Sequence, residues 1–222
     1  MRTRVLTGEK LEQELKRLED MRVYERMYEE QGLVCGMDEA GRGPLAGPVA
    51  AAAVILPKDC RILYLNDSKK LTAARREALY EEICQKAVAY GVGLASAEEI
   101  DELNILQATY LAMKRALDQL SQTPAVLLND AVTIPGVTIP QVPIVKGDAK
   151  SLSIAAASVL AKVTRDQIMT ACDPIFPEYG FARHKGYGTA AHIEALRAFG
   201  PCSMHRRTFI RNFHLEEPFG KS

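Results

Sequence analysis

Met37-Asp38-Glu39-Ala40-Gly41-Arg42-Gly43-Pro44-Leu45-Ala46-Gly47-Pro48 lies between two apolar runs, Leu33-Val34-Cys35 and Val49-Ala50-Ala51-Ala52-Ala53-Val54-Ile55-Leu56. The first run reads as the start of a buried strand, and the second as a strand buried on both faces. Strands are expected at about 33–38 and 49–56, with two adjacent acids at the end of the first. Neighbouring strand residues point to opposite faces. For Asp38 and Glu39 to meet at one centre, the strand must end, bulge or twist there. Gly41 and Gly43 allow a tight turn and a close approach of ligand to backbone. Arg42 between them carries a planar fork of donors suited to phosphate. Read alone, the stretch is equally an ordinary turn with solvated acids.

Downstream, apolar runs alternate with helical patterns, the order of an α/β domain. Leu65-Asn66-Asp67-Ser68-Lys69-Lys70-Leu71-Thr72 reads as a loop, with Lys69 and Lys70 free to touch a phosphate backbone or simply to be solvated. Thr72 is the expected N-cap of a helix over 73–86. A third strand, broken by Gly91 and Gly93, is expected over 87–95. A helix follows from Asp101, with Asn104 and Gln107 resembling a capping box and Leu106, Tyr110, Met113, Leu117 and Leu120 as its buried face. Ala125–Asp130 reads as a central strand ending in an acid, and Val142–Val145 as another that runs into Lys146-Gly147-Asp148. The helix from Ser151 to about Met169 is rich in Ala and Ser, which lets it lie close to a sheet or a ligand. In Phe181-Ala182-Arg183-His184-Lys185-Gly186-Tyr187-Gly188-Thr189, Tyr187 lies among the basic residues Arg183, His184 and Lys185, either as a contact residue or as a core Tyr under a basic loop, and Thr189 caps a helix through Phe199.

Residues 1–31 differ from the rest and are taken as an N-terminal helical extension of a domain spanning 32–222. Leu11, Leu15, Leu18, Met21, Tyr24 and Met27 form one amphipathic stripe, so a single helix is expected over about 9–30, capped by Thr7 and packed against the domain. The last residues read as polar and irregular.

Apolar residues make up 47% of the 222, enough for a sizeable core. The 28 basic and 28 acidic residues cancel, so a nucleic-acid partner would have to meet local rather than bulk positive charge. Five scattered cysteines without metal-ligand spacing suggest reduced thiols and a cytoplasmic setting. Neither a leader nor an apolar run long enough for a membrane span is read, and nothing demands more than a monomer.

Asp38, Glu39, Asp130 and Asp148 each sit at a strand end, so one edge of a sheet would bring them together. Four crowded carboxylates raise each other's pKa and need a counter-charge. Hard divalent cations such as Mg²⁺ supply it through oxygen ligands. Two of them about 4 Å apart activate a water and stabilise the leaving oxygen of a phosphodiester. Each acid taken singly is as readily a turn or cap residue.

D-E-A-G-R-G-P-L-A-G-P-V, N-D-S-K-K-L, D-E-L-N-I-L, V-K-G-D and A-K-V-T-R-D together resemble the type 2 ribonucleases H, in particular bacterial ribonuclease HII. The resemblance runs from about Gly36 to Arg207. It implies a ribonuclease H-like mixed sheet of about five strands flanked by helices, with helices added at both ends. It implies an Asp-Glu-Asp-Asp site at Asp38, Glu39, Asp130 and Asp148, working with Mg²⁺ or Mn²⁺. Asp166 is the alternative fourth acid, and Asn129 before Asp130 with Ala131 after it is a mild departure from the family, which often has Val or Ile before the acid and Gly or a small residue after it. The resemblance further implies cleavage of the RNA strand of RNA–DNA hybrids and incision 5′ to a single ribonucleotide in duplex DNA, in ribonucleotide excision during DNA replication and repair. An enzyme of this kind must read the 2′-hydroxyl. The family does so through Gly41, Arg42, Gly43 and Tyr187, with Lys69 beside the backbone. His184 and His205 could be general acids, but two-metal cleavage needs no histidine nucleophile, so phosphate contact or surface hydrogen bonding is expected of them. Two alternatives stand beside this reading: a ribonuclease HIII-type hybrid nuclease, and a non-catalytic nucleic-acid binding module. Protein partners are not legible.

Overall fold

The computed structural model describes residues 7–213. In chain order these form α1 (Glu9–Asp20), α2 (Val23–Tyr28), β1 (Val34–Ala40), β2 (Val49–Ile55), α3 (Ala73–Lys86), β3 (Ala89–Ala95), α4 (Ala97–Leu103) and α5 (Ile105–Asp118). There follow β4 (Val126–Asp130), β5 (Gln141–Ile144), α6 (Leu152–Cys172), α7 (Phe181–His184), α8 (Ala190–Phe199) and α9 (Arg207–Ile210). The strands make one mixed sheet in the order β3-β2-β1-β4-β5. β1, β2 and β3 are antiparallel, while β4 and β5 run parallel to β1. The expected fold class is therefore the observed one.

The sheet is covered on both faces. Cys35, Met37, Ala51 and Ala53 face α5, where Ala112, Met113 and Ala116 meet them. Ala52 and Val54 face α6 and its Ala155, Ala156, Val159 and Leu160. α6 is apolar nearly all round because it is a central helix, with the sheet on one side and Leu79 and Ile83 of α3 on the other. Small residues set the spacing. Ala50 to Ala53 are fully buried. A Cβ on Gly36 would lie 2.1 Å from the Ser153 backbone, and one on Gly93 would lie 2.0 Å from the Ala112 carbonyl. Gly91 and Gly93, which look like strand breaks, are thus the seat of α5, and Gly36 is that of α6. Gly36→Ala is expected to cost about 1–3 kcal/mol, the usual range for overpacking a dense core. An unchanged urea midpoint would show that α6 lies more loosely than this.

The N-terminal stripe is not one helix. It breaks at Met21-Arg22 into α1 and α2, followed by a 3-10 turn at Glu29–Gln31. The break frees the Met21 carbonyl to accept the Leu152 amide at 3.0 Å, closing the start of α6. Glu25 continues the closure, its Oε1 accepting from both Ser151 Oγ and Ser153 N. Leu18 and Met21 enter the α6 core, while Tyr24 and Tyr28 pack beside Val34 and Val126. Met27 is left exposed. Gly8 is the N-cap, and Thr7 makes no cap bond.

Two other helix ends differ from expectation. α4 is a separate helix whose capping box is Ser96 and Glu99. Asn104 does cap α5, accepting from the Leu106 and Gln107 amides, but Leu106 itself is exposed. Thr72, Ser151 and Thr189 each cap their helices through the side chain. The expectation for the final residues falls largely outside the described range.

Candidate active site

β1 carries its register without a bulge from Cys35↔Ile55 to Ala40↔Ala50. Asp38 pairs with Ala52 and therefore lies on the α6 face, whereas Glu39 pairs with Ala51 on the α5 face. The parallel ladder to β4 ends at Met37↔Asn129. Asp130 is the next residue of β4, as Asp38 is the next of β1, so the two carboxylates leave side by side. Ala131 then turns the chain with φ 57, a left-handed conformation that glycine adopts most readily. Asp130 Oδ1 accepts the Gly147 amide at 2.7 Å, which fixes the 3-10 turn Gly147–Ala149 and with it Asp148.

Asp38, Asp130 and Asp148 each offer an oxygen within 4.8 Å of the others. Glu39 stands beside this trio rather than within it, with Oε1 3.3 Å from Arg42 Nη1. Its Oε2 is buried and receives no hydrogen bond. Burial, then the Glu39 charge, drives the Asp38 carboxyl well above the ordinary carboxylate range, and the Asp130 charge adds to this. Burial also raises Glu39, against the pull of Arg42. Burial, then the Asp67 and Asp130 charges, raises Asp148. Lys69 is the cation facing the group, its ammonium held above the usual range by Asp38, Asp67, Asp148 and Asp130 in spite of burial. Lys70 instead lines a separate recess with Arg17 and Asp20. Three carboxylates this close, with Asp38 and Asp148 raised and an orphaned buried carboxylate oxygen beside them, make an all-oxygen donor set that fits a hard divalent cation.

Asp166 is not part of the trio. It bonds Lys162 Nζ at 2.6 Å and lies 3.9 Å from Arg76, which makes it a neutralised surface acid of α6.

Asp38, Glu39, Gly41, Arg42, Gly43, Lys69 and Tyr187 line a common cleft of ≈ 570 Å³. The Gly41–Pro48 turn that floors it is held by two fully buried arginines that sequence reasoning passed over. Arg165 of α6 donates to the carbonyls of Pro48 at 2.9 Å, Ala46 at 3.0 Å and Lys185 at 3.0 Å. Arg206 donates to those of Gly47 at 2.9 Å, Arg42 at 2.9 Å and Gly41 at 2.6 Å. A Cβ on Gly41 (φ 93) would strike Arg165 Nε at 2.1 Å, so glycine there is required by this packing. A Cβ on Gly43 would meet nothing within 4 Å, so that backbone is open to a ligand. The Leu45 amide donates to the Gly186 carbonyl at 2.8 Å, tying the turn to the segment that carries Tyr187. Tyr187 is 44% exposed, with Lys162 Nζ and the Arg165 guanidinium each 5.8 Å from its ring centroid.

The expected surface role of the histidines is corrected. His205 is 2% exposed and cannot reach a phosphate. His184 is half-buried, its Nε2 2.7 Å from the Tyr179 carbonyl. All five cysteines are free thiols, and no described helix is long and apolar enough to cross a membrane.

The sequence model of the Ribonuclease HII family matches residues 35–212. The ribonuclease HII of Lachnoclostridium phytofermentans is 60% identical over 204 residues, 92% of this chain and 80% of that protein. The ribonuclease HII of Caldanaerobacter subterraneus is 55% identical over 202 residues, 90% of this chain and 84% of that one. Among solved structures, the ribonuclease H2 of Pyrococcus horikoshii superposes with a TM-score of 0.68 at 29% identity, over 82% of this chain and 96% of that chain. The match begins within β1 and runs past α9, so it takes in every element that shapes the cleft. This chain belongs to the ribonuclease HII family and is a nuclease of the ribonuclease H type.

Proposed function

We propose that this nuclease cuts the RNA strand of RNA–DNA hybrids and incises duplex DNA on the 5′ side of a single embedded ribonucleotide. The observation that carries the reading is the trio Asp38, Asp130 and Asp148, with the unpartnered Glu39 oxygen beside it, next to a cleft that Asp38 and Glu39 line together with Gly43 and Tyr187. Asp38, Glu39, Asp130 and Asp148 would hold Mg²⁺ or Mn²⁺. A bound pair of these cations supplies an activated water and neutralises the charge growing on the leaving oxygen.

The chain's own residues do the rest. Asp38 and Asp130 leave adjacent strands on the same face, so they present their oxygens as a rigid pair. Lys69 offsets their charge and offers an ammonium to the scissile strand. Arg42 holds Glu39 in place while its remaining donors face the cleft. The open backbone at Gly43 admits a sugar edge, and the Tyr187 hydroxyl and ring meet the same sugar from the other side. We read residues 1–31 as a helical extension that closes the start of α6, and 32–222 as the catalytic domain. One chain supplies the whole cleft, which suits a monomer, and the free thiols suit the reducing cytoplasm.

Tyr187→Ala is expected to lower incision at a single ribonucleotide about tenfold or more, and cleavage of long hybrids much less. Stacking and hydrogen bonding at one nucleotide are worth about 1–3 kcal/mol. Single-turnover rates on the two substrates check this, and equal losses would remove the specificity role. For the wild-type enzyme, cutting of hybrids alone would assign the ribonuclease HIII type. Binding without cutting of either substrate would assign a non-catalytic module.

A further inference from the structure

Three histidines line up behind Tyr187, away from the acids. His192 Nδ1 lies 2.9 Å from the Tyr187 carbonyl, and His192 Nε2 lies 3.1 Å from His205 Nε2. His205 Nδ1 lies 3.0 Å from the Cys202 amide nitrogen. These contacts admit one set of proton positions. A carbonyl only accepts, so His192 Nδ1 carries a proton and its Nε2 is bare. A backbone amide only donates, so His205 Nδ1 is bare and its Nε2 carries the proton that His192 receives. The chain of donors runs from the Cys202 amide through His205 and His192 to the Tyr187 carbonyl.

We propose that His192 is a positioning residue for Tyr187, with His205 holding it in the Nδ1-protonated tautomer. This rests on the reading that Tyr187 senses the ribonucleotide.

The surroundings keep the device rigid. His192 is 0% exposed, its ring stacked on His184 at 4.4 Å and met edge-on by Phe181 at 5.6 Å. The Tyr179 ring lies 4.8 Å from His205, and Cys202 Sγ 3.2 Å from its Nδ1. Burial holds both imidazoles below their ordinary range, His205 down to about 4, so both remain neutral at neutral pH. His205 also connects to the other side of the cleft. It bridges Ala46 in the Gly41–Pro48 turn, and the adjacent Arg206 donates its amide to the Leu45 carbonyl. The same two residues thus set the Tyr187 backbone relative to the open Gly43 backbone across the cleft. The Tyr187 amide donates to the His184 carbonyl at 2.9 Å, and the Tyr187 carbonyl accepts the Thr189 amide at 2.8 Å, so His192 supplies that carbonyl's second bond and the only one from a side chain among the described residues.

The test compares His192→Leu, His192→Asn and His192→Gln in the full chain on the single-ribonucleotide duplex and the long hybrid. An Asn amide places a donor where Nδ1 stands, whereas Gln places its polar atoms nearer Nε2. His192→Leu is expected to lower the single-ribonucleotide to hybrid rate ratio about three- to tenfold, the effect of one lost hydrogen bond on a positioned group. Asn restores most of the ratio and Gln does not. In the Tyr187→Ala background His192→Leu adds no further loss of ratio. Nitrogen-15 NMR of the wild-type protein, which needs no variant to fold, is expected to show His192 protonated at Nδ1 and His205 at Nε2. The opposite tautomers overturn the proposal. So does an unchanged ratio in His192→Leu where Tyr187→Ala lowers it, which leaves the reading of Tyr187 standing. An unchanged ratio in Tyr187→Ala itself overturns that reading and the proposal with it.

Discussion

Asp38→Asn is expected to abolish cleavage, by about a thousandfold or more, while making the metal-free protein more stable at neutral pH. The two effects have one cause. Asp38 is buried beside Glu39 and Asp130, and both burial and those charges penalise its ionised form. An acid whose folded pKa lies above its unfolded value binds its proton more readily in the folded state. Metal-free stability from this group therefore rises as pH falls from neutrality towards the unfolded carboxylate pKa, and is lost as pH rises again. Asn keeps the shape and removes the charge. The gap in melting temperature between Asp38→Asn and the wild type is expected to be wide at about pH 7 and to narrow towards about pH 5. Added Mg²⁺ should raise the melting temperature of the wild type and leave the variant nearly unmoved. Substrate binding, carried by the turn and by lysines, is expected to survive. Glu39→Gln should also abolish cleavage, since it removes the charge of the unpartnered oxygen. Full activity in either variant would remove the cation assignment.

Arg206→Met is expected to lower stability by about 2–4 kcal/mol, a large effect for a change outside the apolar core. Its guanidinium is fully buried and donates to three carbonyls of the Gly41–Pro48 turn. Burial, then the nearby Arg165 charge, holds it down to about 9, still protonated at neutral pH. Removing it relieves the desolvation of one buried charge. It also strands the Gly41, Arg42 and Gly47 carbonyls, each at about 1–3 kcal/mol unless water enters. Three stranded acceptors outweigh the relief. Methionine fills most of the volume, so a cavity contributes little. Because the turn carries Arg42 and the open Gly43, the rate should fall further than the folded fraction does, even well below the melting temperature. Arg206→Lys should recover little, since a single ammonium cannot span three carbonyls. Urea unfolding and single-turnover cleavage check both parts. A loss under about 0.5 kcal/mol would show that the turn holds itself.

The parts of the fold legible in the sequence were those whose causes are local. Thr72 and Thr189 cap the helices that begin after them because a cap bond spans only three residues. The second apolar run was legible as a strand buried on both faces, whereas Gly91 and Gly93 read as breaks because the α5 backbone that lies on them is about 20 or more residues away in the chain. The acids at strand ends were legible as candidates, but their meeting depends on the ladder of β1 with β4, which pairs residues some 90 positions apart. The break in the N-terminal stripe was not legible, since the partner of the Met21 carbonyl is the amide of Leu152. Neither were Arg165 and Arg206. Their partners are backbone carbonyls, which look alike in every residue and leave no mark in a sequence. Ser96 and Glu99 were legible as a capping box and were passed over in favour of Asn104 and Gln107.

The most direct measurement is cleavage of an end-labelled DNA duplex holding one ribonucleotide, by the wild type and by Asp130→Asn, with Mg²⁺, with Mn²⁺ and with chelator. The wild type is expected to cut once, on the 5′ side of the ribonucleotide, with either cation and not with chelator, and Asp130→Asn to remain silent throughout. Cutting by the wild type in chelator, or full cutting by Asp130→Asn, would contradict the assignment of the carboxylates at the sheet's end to a cation-dependent centre.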